Sequence, residues 1–304
     1  MEILSEQGDP QIARVFVASF RGDRELLAEF VDSNGQGASP DEKWVVIVST
    51  QFGCPVACPM CDAGGSYRGD LTSDEIFAQI EGVISMHPVS RMESVTKLKI
   101  QFARMGEPSL NPAVLHVIRE LPARYGRRAM PCVATTAPAA AEGWFRELLG
   151  IRRGLYDESP FQLQLSINST DPLARDRLMP VPKMSLGALA AYSREFSSAG
   201  PRKVALNFAL TQGVPVDPGE VARLFSPDDA CIKITPLNPT ERSVASGLAT
   251  SLPVDAPEAA EKLCGDFEKL GFEVLLSIGD PRENSIGSNC GMAVRRLSGG
   301  RTLS

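Results

Sequence analysis

The reading of this chain turns on GCPVACPMCDAGG, residues 53–65. It carries Cys54, Cys58 and Cys61 in a C-x3-C-x2-C spacing, directly after the apolar run WVVIVS at 44–49. Zinc sites usually bring four protein ligands in two closely spaced pairs. Ordinary iron–sulfur clusters also take four cysteines. Here three thiols fall within eight residues, and no fourth lies nearby. A [4Fe–4S] cluster held by three thiolates keeps one iron open, and an open position is what separates a reactive metal centre from a structural one. The amine and carboxylate of an amino acid can chelate such an iron. The alternative is a zinc site completed by a distant cysteine or histidine.

Outward from this loop, β-branched runs alternate with helical patterns. Strand-like segments are WVVIVS (44–49), TKLKIQF (96–102), MPCVATT (130–136), FQLQLSI (161–167), RKVALNFAL (202–210), CIKITPL (231–237) and FEVLLSI (272–278). The segment TSDEIFAQIEGVISM (72–86) opens with a threonine cap and first-turn acids, and keeps Ile76, Ile80, Val83 and Ile84 on one helical face. Similar helical patterns follow at 112–124, 141–150, 185–197, 217–225 and 256–270. Such alternation predicts an α/β fold of βαβ units, a partial (βα)6 barrel. In such folds the chemistry gathers at the C-terminal strand ends, where the cysteine loop falls. RVFVASF (14–20) and LLAEFVD (26–32), joined by RGDRE, predict a short N-terminal β-hairpin. The expected organisation is an extension over 1–43, a barrel over 44–278 and a tail over 279–304 that returns to the active site.

Composition narrows the class. The chain has 304 residues, of which 43% are hydrophobic, enough for a sizeable core. Seven cysteines, an odd number with three clustered, favour metal or redox use over a disulfide framework. The N-terminus shows no basic segment followed by an apolar run, and no stretch approaches about 18 uninterrupted apolar residues. No signal peptide or membrane span is therefore expected, and the expected location is the cytoplasm. The net charge of −6 argues against a broad phosphate-binding surface. The locally basic runs at 119–128 and 294–301 read as solvated surface. His87 and His116 read as structural or surface residues, Cys132 and Cys231 as strand packing, and Cys264 as a buried helix residue.

The cysteine loop after a first strand resembles that of the radical SAM superfamily. From Trp44 to Cys290 the chain resembles the RlmN/Cfr family of radical SAM RNA methyl synthases. STQFGC (49–54) is similar to that family's S-S-Q-x-G-C, and LTSDEIFAQI (71–80) to its L-T-x-x-E-I-x-x-Q-V. ARMGEPSLN (103–111) resembles G-M-G-E-P-L-x-N, and LSINSTDPLARDRLMPV (165–181) resembles S-L-H-A-x-x-x-x-x-R-x-x-L-M-P. TPLNP (235–239) resembles I-P-x-N-P, and GDPRENSIGSNCGM (279–292) resembles G-x-D-I-x-A-A-C-G-Q-L.

The resemblance implies a [4Fe–4S] cluster on Cys54, Cys58 and Cys61. It implies S-adenosylmethionine (SAM) on the open iron, cleaved to a 5′-deoxyadenosyl radical by an electron from a flavodoxin- or ferredoxin-type donor. Gly106 and Glu107 would receive the SAM amino group, Glu107 as a charge-assisted acceptor. Thr135, Thr136, Ser166, Asn168 and Asn238, at or after strand ends, would complete the SAM site. Asn168 stands where the family has histidine. Cys290 matches the cysteine that the family methylates and from which the carbon is transferred.

Three departures stand out. Seven residues before Cys54, where the family places its second catalytic cysteine, stands Ile47. CDAGG (61–65) replaces the family's C-A-T-G. About a dozen residues precede the hairpin, where RNA-modifying members carry a helical domain. The chain is thus expected to be a methyltransferase that works through methylated Cys290 on a non-ribosomal or unknown substrate. The alternatives are direct hydrogen abstraction from a small molecule or peptide, an RNA adenosine methyltransferase, and a non-catalytic iron–sulfur or SAM-binding protein.

Overall fold

A computed structural model describes residues 1–34, 39, 41–253, 255–278 and 291–299. The chain divides into two compact units, one holding residues 1–57, 61–133 and the tail, the other residues 58–60 and 134–279.

In the first unit, β1 (Glu2–Asp9), β2 (Ala13–Phe20) and β3 (Asp23–Ser33) form an antiparallel meander. The expected hairpin is therefore three-stranded. β1 escaped the sequence reading because EILSEQGD is mainly polar and half-buried or exposed, as an edge strand can be. β3 pairs antiparallel with β4 (Trp44–Val48) through Val31 and Ile47. β4, β5 (Leu98–Phe102) and β6 (Ala129–Thr135) then run parallel. Trp44, Val46, Val48, Leu98, Ile100 and Phe102 are fully buried on one face. α1 (Ser73–Ser85) packs against β4 and against α3 (Ala113–Tyr125). A capping box starts α1: the Thr72 hydroxyl accepts from the Glu75 N–H, and the Glu75 carboxylate accepts from the Thr72 N–H. The short α2 (Val89–Ser94) follows.

Asp32 ties this unit together. It accepts hydrogen bonds from Arg14 at 2.7 Å and Trp44 Nε1 at 2.8 Å, and lies 2.7 Å from His87 Nε2. His87 is thus structural, whereas His116 is exposed beside Glu120.

In the second unit β7 (Gln162–Ser166), β8 (Val204–Leu210), β9 (Ala230–Pro236) and β10 (Val274–Leu276) pair in parallel. Its helices are α4 (Glu142–Leu155), α5 (Pro172–Leu178), α6 (Leu186–Ser198), α7 (Pro218–Leu224), α8 (Glu241–Ala245) and α9 (Glu261–Lys269). Proline at the first helical positions and aspartate caps, Asp171 and Asp217, start α5 and α7. Aromatic side chains fill the helix–strand layer: Phe145 meets Tyr192 at 5.0 Å, Phe161 meets Phe196 at 5.4 Å, and Phe208 meets Phe267 at 5.9 Å. Parallel strands followed by helices in both units confirm the expected α/β class. Cys132 is buried in β6, whereas Cys231 and Cys264 are only half-buried. Among the described residues no helix is long and apolar enough to cross a membrane.

Candidate active site

The chain leaving β4 is pinned before it reaches the cysteines. The Ser49 N–H donates to Gln79 Oε1 of α1 at 2.9 Å, and the Thr50 N–H donates to the Met105 carbonyl at 2.8 Å. Gln51 accepts from the Glu107 N–H at 2.8 Å and donates to Asp70 at 2.7 Å. The loop then folds back on itself. Gly65 N–H donates to the Cys54 carbonyl, and Gly64 N–H to the Cys61 carbonyl. Glycine is required at the root of this loop. Gly53 has φ +76°, and a Cβ there would fall 2.1 Å from the Ser66 carbonyl oxygen.

This folding brings Cys54 and Cys61 within electrostatic reach of each other. Burial, then the Cys61 charge, pushes the Cys54 thiol up to about 12, and the Glu107 carboxylate adds to the rise. A bare thiolate is costly here. A cationic metal centre supplies the charge that lets such a thiol ionise, so the donor set suits a thiolate-bound metal group. Among the described residues none of the three cysteines forms a disulfide. Among the described residues no three His, Cys, Asp or Glu side chains converge as a ready single-ion site. Cys58 belongs to the short segment 58–60 of the second unit. There the Thr240 hydroxyl donates to the Met60 carbonyl at 2.9 Å, and the Ser246 hydroxyl donates to the Pro59 carbonyl at 3.2 Å.

Gly106 and Glu107 follow β5 beside the cysteine loop. Gly106 has φ +103°, and a Cβ would lie 2.6 Å from Thr50 Oγ1 and 2.8 Å from Gln51 Cβ. Glu107 is buried, with 3% exposure, so it is no surface residue of a turn. Its Oε1 accepts from the Ser109 N–H at 3.1 Å and the Ser109 hydroxyl at 2.7 Å. The carboxylate is thus oriented by its own turn while its charge reaches Cys54.

The tail reaches the same place through contacts that the sequence reading did not find. Glu29, fully buried in β3, pairs with Arg104 at 2.6 Å. The same carboxylate accepts from the Gly291 N–H at 3.0 Å and the Val294 N–H at 2.7 Å. It caps the tail helix α10 (Met292–Gly299), where a negative group is favoured by the helix dipole. Gly291, at φ +84°, lies so close to the loop that a Cβ would fall 2.1 Å from the Ala63 nitrogen. Arg295 of α10 lies 3.9 Å from the buried Asp62, the first residue at which the loop departs from C-A-T-G. A cavity of about 420 Å³ lined by Leu27, Phe52, Ala63, Met105, Gly291 and Val294 borders this contact. Cys290 itself lies outside the described residues. The signal available in sequence was Glu29, a lone acid in the otherwise apolar LLAEFV.

The remaining expected residues lie in the second unit. The Thr135 hydroxyl accepts from the Ala137 N–H at 2.9 Å, and Thr136 follows it half-buried. Ser166 ends β7, half-buried. Asn168 has φ +59°; its Oδ1 accepts from the Ala209 N–H at 3.1 Å, and its Nδ2 lies 3.6 Å from the Met179 sulfur. Asn168 therefore also braces the end of β7 against β8. Asn238 is exposed just after β9, and its carbonyl accepts from Thr240 and Ser243.

No family model matches the chain. Among curated proteins it is similar to several named as probable dual-specificity RNA methyltransferase RlmN. That of Frankia alni is 27% identical over 85% of this chain and 60% of its own length. That of Desulfitobacterium hafniense is 28% identical over 84% and 69%, and that of Leptospira interrogans 24% identical over 75% and 68%. The chain thus spans about 60 to 69% of the length of these relatives. Among solved structures, a radical SAM methyltransferase from Sphaerobacter thermophilus matches with a TM-score of 0.73 and 23% identity, over 95% of this chain and 80% of that one. Streptococcus suis SuiB bound to S-adenosylmethionine matches with a TM-score of 0.50 and 13% identity, over 79% and 48%. These two likenesses bear on the fold alone, which this chain shares with both structures.

Proposed function

We propose that this chain, an RlmN/Cfr-like relative within the radical SAM superfamily, is a methyltransferase that works through Cys290. Cys54, Cys58 and Cys61 would hold a [4Fe–4S] cluster. When bound, that cluster supplies the open iron that chelates SAM and the electron that cleaves it, received from a flavodoxin- or ferredoxin-type donor. Gly106 lets the backbone approach SAM, and Glu107 accepts from its ammonium. Thr135, Thr136, Ser166, Asn168 and Asn238 line the remainder of the SAM site. The protein works in the cytoplasm.

The observation that carries this reading is the tail. Glu29 and Arg104 hold the N-terminus of α10, and Gly291 packs onto Ala63, two residues past Cys61. Cys290 precedes Gly291 directly in the sequence, and Gly291 packs against the cysteine loop. A thiol so tethered suits a carrier that takes a methyl group and hands its carbon on. The relatives act on RNA by name. The net charge of −6 argues against a broad phosphate-binding surface here, and we place the substrate outside ribosomal RNA.

The test is intact-mass and peptide analysis of anaerobically reconstituted protein after incubation with SAM. One methyl group is expected on Cys290 of the wild type and none on Cys290→Ala. The variant should lose methylated product and keep at least part of its cleavage of SAM to 5′-deoxyadenosine. Methylated product from Cys290→Ala would instead favour direct hydrogen abstraction.

A further inference from the structure

The described lining of the cavity of about 420 Å³ beside α10 comes wholly from the first unit. Its floor is apolar. Phe52, Ala63 and Met105 line it and are buried. Leu27 of β3 and Val294 and Leu297 of α10 continue this apolar surface as half-buried walls. The rim is charged: Arg24, Glu25 and Arg68 line the cavity and are exposed.

The charges around the cavity do not cancel. Glu25 pairs with Arg68, and the buried Asp62 lies 3.9 Å from Arg295. Arg24 has no ion pair or hydrogen bond with any described residue, so one cation is left over at the rim. A cavity of this size, mainly apolar with a few polar groups, has the proportions of a small-molecule site. Water would find few polar partners on its floor, whereas an apolar body gains by burial there. The floor side chains also offer nothing to match the polar edge of a nucleobase, which would lose its own hydrogen bonds on entering.

We propose that this cavity binds a small amphipathic anion, with an apolar body on Phe52, Ala63 and Met105 and a carboxylate or similar group on Arg24. Gly291, which lines the cavity, directly follows Cys290, so the bound molecule is the methyl acceptor. That last assignment rests on the function proposed above; the binding itself does not.

The experiment titrates anaerobically reconstituted protein with anilinonaphthalene sulfonate, a fluorescent probe that joins an apolar body to an anion. The probe is then displaced by decanoate, by decanol, which has the same chain without the charge, and by adenosine monophosphate. Decanoate is expected to displace the probe from wild type most readily. Arg24→Gln should weaken decanoate by about threefold, the effect of an exposed ion pair, and leave decanol unchanged. Arg24→Lys should restore decanoate. Ser66→Trp, from an exposed lining position, should occlude the cavity and lose the probe; Leu4→Trp, from β1, does the same should Ser66→Trp fail to fold. Folded tryptophan variants that bind the probe as wild type does overturn the cavity as the site. Decanoate binding indifferent to Arg24→Gln, or tighter binding of adenosine monophosphate than of decanoate, overturns the amphipathic anion. Protein that binds decanoate yet cleaves no SAM would sink the methyltransferase reading and leave the cavity standing. Protein that methylates Cys290 yet ignores decanoate would do the reverse.

Discussion

At the scale of single residues, Glu29 and Glu107 carry the most consequence. Both are buried carboxylates, and both hold loops at the candidate site. Removing one partner of a buried ion pair costs about 3–5 kcal/mol. Glu29→Ala is therefore expected to lower stability by roughly that amount in chemical denaturation. It should also expose residues 292–299 to faster amide exchange, because α10 loses its cap. Unchanged exchange there would mean that Glu29 does not hold the tail. Glu107→Ala removes the proposed acceptor for the SAM ammonium, which should weaken SAM by about 10- to 100-fold. An unaltered affinity would place the SAM ammonium elsewhere. Glu107 was legible because ARMGEPSLN is a local motif. Glu29 was not, because its partners Arg104, Gly291 and Val294 are distant in sequence and a lone acid in a strand reads as a solvent-facing position.

Among the elements, β4 and α10 explain a substitution that the sequence alone left open. Ile47, partly buried, packs against the cluster of Ala13, Val15, Val17, Val31 and Ala293, which Val294 and Leu297 of α10 also cover, so the position expected to bear a second thiol instead belongs to the apolar layer that seats the tail helix. Isoleucine offers packing but neither ionisation nor attack on sulfur. Ile47→Cys should destabilise the protein by about 1–2 kcal/mol, between the costs of small and large core truncations. A variant as stable as the wild type would show that the packing is dispensable. Cys132 lies in the same lateral row, two strands away through Gln101. Cys132→Ala and Cys231→Ala are nevertheless expected to retain turnover. If Cys132→Ala trapped a protein–substrate adduct, the missing thiol would have moved there. The strands from β2 onward were readable from their β-branched runs. β1 was not, since an exposed polar edge strand lacks the alternation that marks a buried face.

For the molecule as a whole, acid stability depends on the Asp32 network of the first unit. Burial raises the Asp32 pKa, but hydrogen bonds from Arg14, Trp44 and His87 outweigh it and hold the carboxyl below its ordinary value. A carboxylate depressed in the folded state contributes stability that is complete above its unfolded value, about 3.9. That contribution is lost as pH falls through the lower folded value. Asp32→Asn should therefore flatten the loss of stability below about pH 4, read from denaturation midpoints across pH. An acid limb identical to the wild type would assign it to other groups. The α/β alternation and the cysteine loop were plain in sequence because each is local. The division into two units was not, because residues 58–60 join the second unit while both flanking stretches of chain belong to the first. The central claim is that the three cysteines hold a cluster that binds SAM. The most direct measurement is electron paramagnetic resonance of the anaerobically reconstituted, dithionite-reduced protein with and without SAM. A [4Fe–4S]+ signal that changes when SAM is added, and that is absent from the triple alanine variant of Cys54, Cys58 and Cys61, is the predicted result. Protein that holds zinc in place of iron, or a cluster signal indifferent to SAM, would contradict the account.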